Sequence, residues 1–258
     1  MIKKLLLLTA LCLGFTISAA SAATPAHIVV MIGEDEYHTW ETLPEFAEKD
    51  LKPQGYRVTI VQADEKKDKN NFSGLEAALR DADLLLVSVR RRTPVKQQLD
   101  AVRAYLAAGK PLVGIRTASH AFALRPPEKV TDAKLDTWQL FDPEVLGGHY
   151  TNHHKAGNQT TATLAPGGAE KHPILRGISP AKFTSSRSLY KVSPLEKSAV
   201  PLLIGTIPGE APEPIAWTNT YGPKRARIFY TSMGDPVDFK NPEFRRFLMN
   251  SITWGLGR

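Results

Sequence analysis

Hydrophobic positions along the chain follow two regimes that meet near residue 115. Before it, short apolar runs alternate with segments of helical spacing. Residues 27–33 (HIVVMIG) form an apolar run closed by glycine, as in a buried strand. Leu43, Phe46, Ala47 and Leu51 then repeat at helical spacing and predict a helix over 42–52. Pro53-Gln54-Gly55 breaks it, and 56–61 alternates as a strand. Residues 73–80 read as a short helix, with Ser73 as its cap and Glu76 three residues later. A third strand follows at 84–89 (LLLVSV). Thr93 is expected to cap the next helix, with Pro94 at its first position, Val95, Leu99, Val102, Leu106 and Ala107 on its apolar side, and Gly109 at its end. The fourth strand is 111–115. This alternation predicts an α/β fold, a parallel sheet with helices on both faces. Strands covered on both faces are expected to be apolar almost throughout.

From 116 to 159 the chain turns polar, aromatic and histidine-rich, with little regular pattern. A long irregular segment inside a compact domain usually carries function. Extra short strands are expected in the C-terminal half at 160–164, 189–192, 201–204, 214–217 and 227–231, with a turn at Tyr221-Gly222-Pro223 between the last two. Asn241 and Pro242 then open a final helix carrying Phe244, Phe247, Leu248, Ile252 and Trp254. No repeat or linker divides the chain after residue 22, so 23–258 is read as one domain.

The first 22 residues are set apart. Lys3 and Lys4 precede an apolar stretch at 5–17, and Ala20-Ser21-Ala22 places small residues where a signal peptidase cuts. The reading is a cleaved signal peptide over 1–22, with a short uncleaved anchor as the alternative. It leads to a periplasmic or secreted protein without a stable membrane anchor. The only cysteine, Cys12, lies in the leader, so the exported chain would hold no thiol and no disulfide. Removing Lys3 and Lys4 lowers the net charge from +7 to +5, too modest an excess to imply nucleic acid as a partner. The run Arg90-Arg91-Arg92 after the third strand fits a solvated loop or an anion contact better than a DNA-binding patch.

In an open parallel sheet, ligands bind beyond the carboxyl ends of the strands. Glu34 and His38 follow the first strand, Arg90 the third, and Arg116, Ser119 and His120 the fourth, so all belong to one expected edge. His149, His153 and His154 follow Gly147-Gly148. Neutral imidazoles of this kind can ligate a divalent cation, with zinc favoured over magnesium, or act in acid–base catalysis. The alternative is a set of solvated or hydrogen-bonded loop histidines. Glu34 is a base, a metal ligand, an acceptor for a sugar hydroxyl or a plain surface acid. Arg116 is an anion or carbonyl contact, or one half of an ion pair with Glu34 or Asp142. Ser119 beside His120 lacks the glycine-flanked elbow of a serine nucleophile. Trp40, Trp138 and Tyr150 are either sugar-stacking rings or core.

Several stretches together resemble the ThuA-like family, named for trehalose utilization. They are Gly33-Glu34 with His38, LVGIRTASHAF at 112–122, GGHYTNH at 147–153, HPILRGI at 172–178, PIAW at 214–217, RARIFYTSMG at 225–234 and the end at 241–254. The resemblance implies a flavodoxin-like, class I glutamine amidotransferase-like sheet and a role in carbohydrate catabolism, often through keto sugars. It departs from the family at Arg116 and Asp235, where histidine is common, and this weakens any metal site carried over. Amidotransferases need a cysteine nucleophile, which a chain without its leader would lack. The expected function is therefore acid–base or metal-assisted chemistry (isomerisation, elimination or hydrolysis) on a keto sugar or glycoside. The candidate catalytic residues are Glu34, His38, Arg116, His120 and His149. Trp40, Arg90, Ser119 and Tyr150 are candidate substrate contacts, and His149, His153 and His154 candidate metal ligands. The alternatives are a non-catalytic carbohydrate-binding protein and a partner of a periplasmic sugar oxidoreductase.

Overall fold

A computed structural model describes residues 24–258 except 156, 158, 168 and 186. The signal peptide expected over 1–22 lies outside the described residues. In chain order the elements are β1 (His27–Gly33), α1 (Thr39–Phe46), β2 (Arg57–Gln62), α2 (Leu75–Arg80), β3 (Leu84–Val89), α3 (Lys96–Ala107) and β4 (Leu112–Ile115). After a long irregular stretch come β5 (Asn152–His153), β6 (Thr160–Leu164), β7 (Thr184–Ser185), β8 (Tyr190–Lys191), β9 (Val200–Thr206), β10 (Glu213–Tyr221) and β11 (Ala226–Thr231). Two helices, α4 (Pro236–Phe239) and α5 (Pro242–Gly255), end the chain.

The main sheet runs β2-β1-β3-β4-β11-β10-β9-β6-β7. Strands β2, β1, β3, β4 and β11 are mutually parallel, and β10, β9, β6 and β7 extend the sheet as antiparallel neighbours. The parallel part has the flavodoxin-like order, with β11 as the fifth strand and the order reversing between β1 and β3. Alternate residues of β1 serve opposite cores. Ile28, Val30 and Ile32 pack with Leu43 and Phe46 of α1 and Phe244, Phe247 and Leu248 of α5. Val29 and Met31 pack with Leu75 and Leu79 of α2 and Leu99 and Val102 of α3. Burial on both faces explains why these strands read as continuous apolar runs.

The strand expectations hold to within a few residues, whereas three helix starts differ. The first helix begins earlier, at Thr39, and widens at 47–51 before Gly55 ends it with φ +81°. Gly74, not Ser73, precedes α2, and no side chain caps that helix. Thr93 does not cap α3, which starts at Lys96. Instead the Thr93 N–H donates to Asn70 Oδ1 at 3.0 Å and the Pro94 carbonyl accepts from Asp136 N at 3.0 Å. These tertiary bonds hold 93–94 outside the helix, whose cap position falls at Val95. Asn241 does cap α5, accepting from Glu243 N at 3.0 Å.

Candidate functional site: a cleft at the carboxyl edge of the sheet

Strands β1, β3 and β4 are adjacent and parallel, so Gly33, Val89 and Ile115 end at one edge. Just beyond them, His38, Arg91 and Arg116 have φ of +53°, +50° and +47°. Left-handed backbone is uncommon for residues with side chains and gathers where a site demands a fixed direction. Backbone bonds lock these turns together. Arg90 N donates to Gly33 O at 2.8 Å, Arg91 N to His120 O at 2.9 Å, and Arg92 N to Ala121 O at 2.8 Å. The Tyr230 hydroxyl donates to Arg116 O at 2.7 Å.

The structure separates the candidate residues into three groups. In the first, Glu34 is buried as the organiser of its own loop. Its Oε1 accepts from Thr39 N at 2.7 Å and Thr39 Oγ1 at 2.6 Å, and its Oε2 from Glu36 N at 2.8 Å and Tyr37 N at 2.6 Å. His38 is exposed and stacks on Trp40, ring centres 4.6 Å apart. Arg90 pairs with Glu36 at 2.8 Å and Asp35 at 3.7 Å. Trp40 borders a separate depression with Asp35 and residues 62–66.

The second group is Arg116 and its cage. The side chain is only 4% exposed and lies between Tyr37 and Tyr190, 4.5 Å from each ring centre. Its guanidinium donates to Ser232 O at 2.7 Å and to Ser188 O at 3.3 Å. The expected alternatives of an ion pair with Glu34 or Asp142 give way to carbonyl and aromatic partners. Arg116 borders a smaller cavity of about 290 Å³ shared with Ser188, Ser232, Met233 and Asp238.

The third group does meet in one cleft of about 590 Å³. Its walls include Ser119, His120, His149, Tyr150 and His153, joined by Arg91, Arg125, Gln139, Asp142, Thr151 and Asn152. His120 stacks on Tyr150 with centres 4.4 Å apart and planes at 24°, and Ser119 Oγ is 3.0 Å from His120 Nδ1. Buried Tyr190 backs both rings, its centre 4.7 Å from that of Tyr150 and 6.0 Å from that of His120. Glu34, His38, Trp40, Arg90 and Arg116 do not line this cleft.

Burial and the charges of Arg91, Arg90, Arg116 and Arg125 push the His120 imidazole well below its ordinary range, so the ring is neutral near pH 7. Asp142 moves the other way. Burial raises its carboxyl to about 7, although the Tyr150 N–H, 2.6 Å from Oδ2, and His149 favour the anion. Burial likewise raises the Tyr150 hydroxyl.

The donor set for a metal does not assemble. His149 Nδ1 is 2.7 Å from Pro194 O, and its Nε2 is 3.3 Å from Glu196. His153 Nδ1 is 2.9 Å from His154 O, and buried His154 has Nδ1 3.3 Å from Glu210. These three rings therefore have separate partners. Among the described residues no three His, Cys, Asp or Glu side chains converge as a metal site. A divalent cation does not fit these residues as they stand.

Fold and edge cleft together define a flavodoxin-like α/β protein with an antiparallel extension. The sequence pattern of the ThuA family, trehalose utilisation, matches residues 28–255, and the chain belongs to this carbohydrate-related family. ThuA-like proteins of known structure share the fold. One from Bacteroides uniformis superposes with TM-score 0.65 at 16% identity, over 94% of this chain and 95% of the other. One from Parabacteroides merdae gives 0.60 at 15% identity, over 90% of each. No curated protein matches the chain in sequence.

Sequence reasoning missed Arg91, Arg125 and Asp142 as cleft residues. The arginine run at 90–92 was a usable signal, but which of the three faces the cleft depends on the left-handed backbone of Arg91. Arg125 and Asp142 carried no local signal, because tertiary folding of the irregular segment brings them to the edge.

Proposed function

We propose that this protein acts on a keto sugar or keto-glycoside by metal-independent acid–base chemistry, with His120 as the base. The observation that carries this reading is the His120 imidazole on the wall of a polar cleft, held between Ser119 and Tyr150 at the end of β4, where burial and nearby arginines favour its neutral form. Carbonyl groups acidify the adjacent C–H, and an unprotonated imidazole can remove that proton. The C–H electron pair then forms an enolate, with negative charge on the former carbonyl oxygen. The arginine-rich surroundings that keep His120 neutral also favour that charge. Where the α-carbon carries a hydroxyl, its proton passes to the enolate oxygen, and His120 returns the abstracted proton to the former carbonyl carbon, so that the carbonyl moves to the α-carbon, which is isomerisation. Alternatively the carbonyl re-forms, a double bond forms between the α- and β-carbons, and the glycosidic oxygen leaves the β-carbon as an alcohol with the proton from His120, which is elimination. Thr151 and Asn152 at the mouth offer partners for sugar hydroxyls.

The proposal includes export, supported by the composition of residues 1–22, and an oxidoreductase that supplies the keto group by oxidising a secondary alcohol. The test follows a keto-glycoside in D2O by NMR, reading deuterium at the carbon next to the carbonyl and loss of substrate. His120→Asn should lower kcat by about 100-fold or more, the ordinary range for loss of a general base. EDTA should leave turnover unchanged. Full turnover by His120→Asn overturns the assignment. Tight sugar binding by wild type without deuterium uptake would make this a carbohydrate-binding protein.

A further inference from the structure

The three arginines after β3 are treated very differently by the fold. Arg90 is paired with Asp35 and Glu36, and Arg92 with Glu65 at 2.6 Å and Asp35 at 3.8 Å. Arg91, between them, has the left-handed backbone that sends its side chain into the cleft instead. Its Nη1 donates to Ala123 O at 3.1 Å, and its buried Nε has no partner. The loop that supplies Ala123 also supplies Arg125, a second guanidinium on the cleft wall. Gln139 pins that loop with two bonds, Oε1 accepting from Leu124 N at 2.7 Å and Nε2 donating to Leu124 O at 3.0 Å.

Arg91 is therefore held by the scaffold, Arg125 projects from a loop that Gln139 pins through Leu124, and neither guanidinium forms an ion pair among the described residues. Glu128 acts on Arg91 through space without pairing with it. Among the described residues Asp142 is the one carboxyl on the cleft wall, and its Oδ2 accepts from the Tyr150 N–H. Two like charges held at one cleft repel, and burial adds to the cost at Arg91. An oxyanion between them would reverse both effects, and a guanidinium fork matches carboxylate and phosphate oxygens.

We infer that the cleft recognises an anionic carbohydrate, a sugar carrying a carboxylate or phosphate that Arg91 and Arg125 hold together beside His120. This rests on the carbohydrate reading of the same cleft and names its substrate class. It also couples binding to the base. The charged groups acting on His120 are Arg90, Arg91, Arg116 and Arg125, with Tyr150 and Tyr190 packed against its ring. A bound anion that neutralises two of those arginines should make His120 easier to protonate.

The test is calorimetric titration of the full chain with glucuronate, glucose 6-phosphate, glucose and inorganic phosphate, at low and high salt. At least one acid sugar should bind about tenfold or more tightly than glucose, with the advantage shrinking as salt screens the charges. Arg91→Gln and Arg125→Gln should each remove most of that advantage. Arg125 is exposed and its side chain has no hydrogen bond among the described residues, so its variant should fold with an unchanged Tm. In the complex, the His120 ring should titrate at higher pH by NMR, and glucose should not produce this shift. Comparing glucuronate with glucose 6-phosphate tells a carboxylate from a phosphate ligand. The inference is overturned if neither acid sugar binds, if glucose binds equally well, or if the preference survives both arginine variants. Inorganic phosphate binding as tightly as the acid sugar would overturn it too, since the sugar would then contribute nothing. Binding of acid sugars with unaltered turnover in His120→Asn would instead remove the acid–base reading and leave this one standing.

Discussion

Replacing Glu34 with Gln separates a structural acid from a catalytic one. The carboxylate accepts four hydrogen bonds, two on each oxygen, from Glu36 N, Tyr37 N, Thr39 N and Thr39 Oγ1. Either orientation of a glutamine amide turns its NH2 toward two of those donors. With the NH2 toward Glu36 N and Tyr37 N two bonds are lost; with it toward Thr39 only the Thr39 N bond is lost, because the hydroxyl can accept from the amide and donate to Ser88 Oγ. The better orientation thus loses one bond and leaves three without an ionic partner. A hydrogen bond to a charged group contributes about 1.5–3 kcal/mol against about 0.5–1.5 kcal/mol for a neutral one, so one lost and three weakened cost about 4 kcal/mol. For a chain of this length 1 kcal/mol moves Tm by about 2–4 °C, which gives a fall of about 8–16 °C. The loop carrying Tyr37 would loosen with it, and Tyr37 forms one side of the Arg116 cage. The assay is thermal unfolding followed by circular dichroism, with urea unfolding as a check on reversibility. A Tm within about 2 °C of wild type, together with a large loss of turnover, would refute the structural role and restore Glu34 as a catalytic candidate.

Asp142→Asn tests the buried carboxyl of the cleft. Its folded-state pKa of about 7 lies above the reference 3.8. Between those values the folded protein keeps a proton that the unfolded chain releases, so this group's contribution to stability falls as pH rises through that window. The Tm of the Asn variant relative to wild type should therefore climb from pH 4 to pH 8, and a pH-independent difference would contradict it. For export, N-terminal sequencing of the protein recovered from the periplasm or medium should begin near Ala23. Recovery of chains that still begin at Met1 would count against cleavage.

The strands were the most legible part of the chain, because burial on both faces makes strand identity a local property of apolar runs such as 27–33 and 84–89. Parallel pairing followed from the intervening helices, and the family from ordered short motifs. The common edge of Glu34, Arg90 and Arg116 was legible for the same topological reason. What each side chain does there was not. Glu34 serves its own loop because four donors close around it, and a contact set of that kind appears only after the chain turns at Tyr37. Arg116 lies between Tyr37 and Tyr190, which are far apart in sequence. The candidate metal histidines lie close together along the chain, but β5 pairing with β8 and the backbone carbonyls around it give their rings different partners. The start of α3 differed because Asn70 and Asp136 bond the backbone at 93–94 and hold it outside the helix. Strand-forming apolarity and turn chemistry are properties of neighbouring residues, so the sequence by itself determined the elements and their layering. The direction of Arg91, the approach of Arg125 and Asp142 to His120, and the protonation of that cleft depend on a left-handed backbone, burial and distant charges, which only the tertiary structure decided.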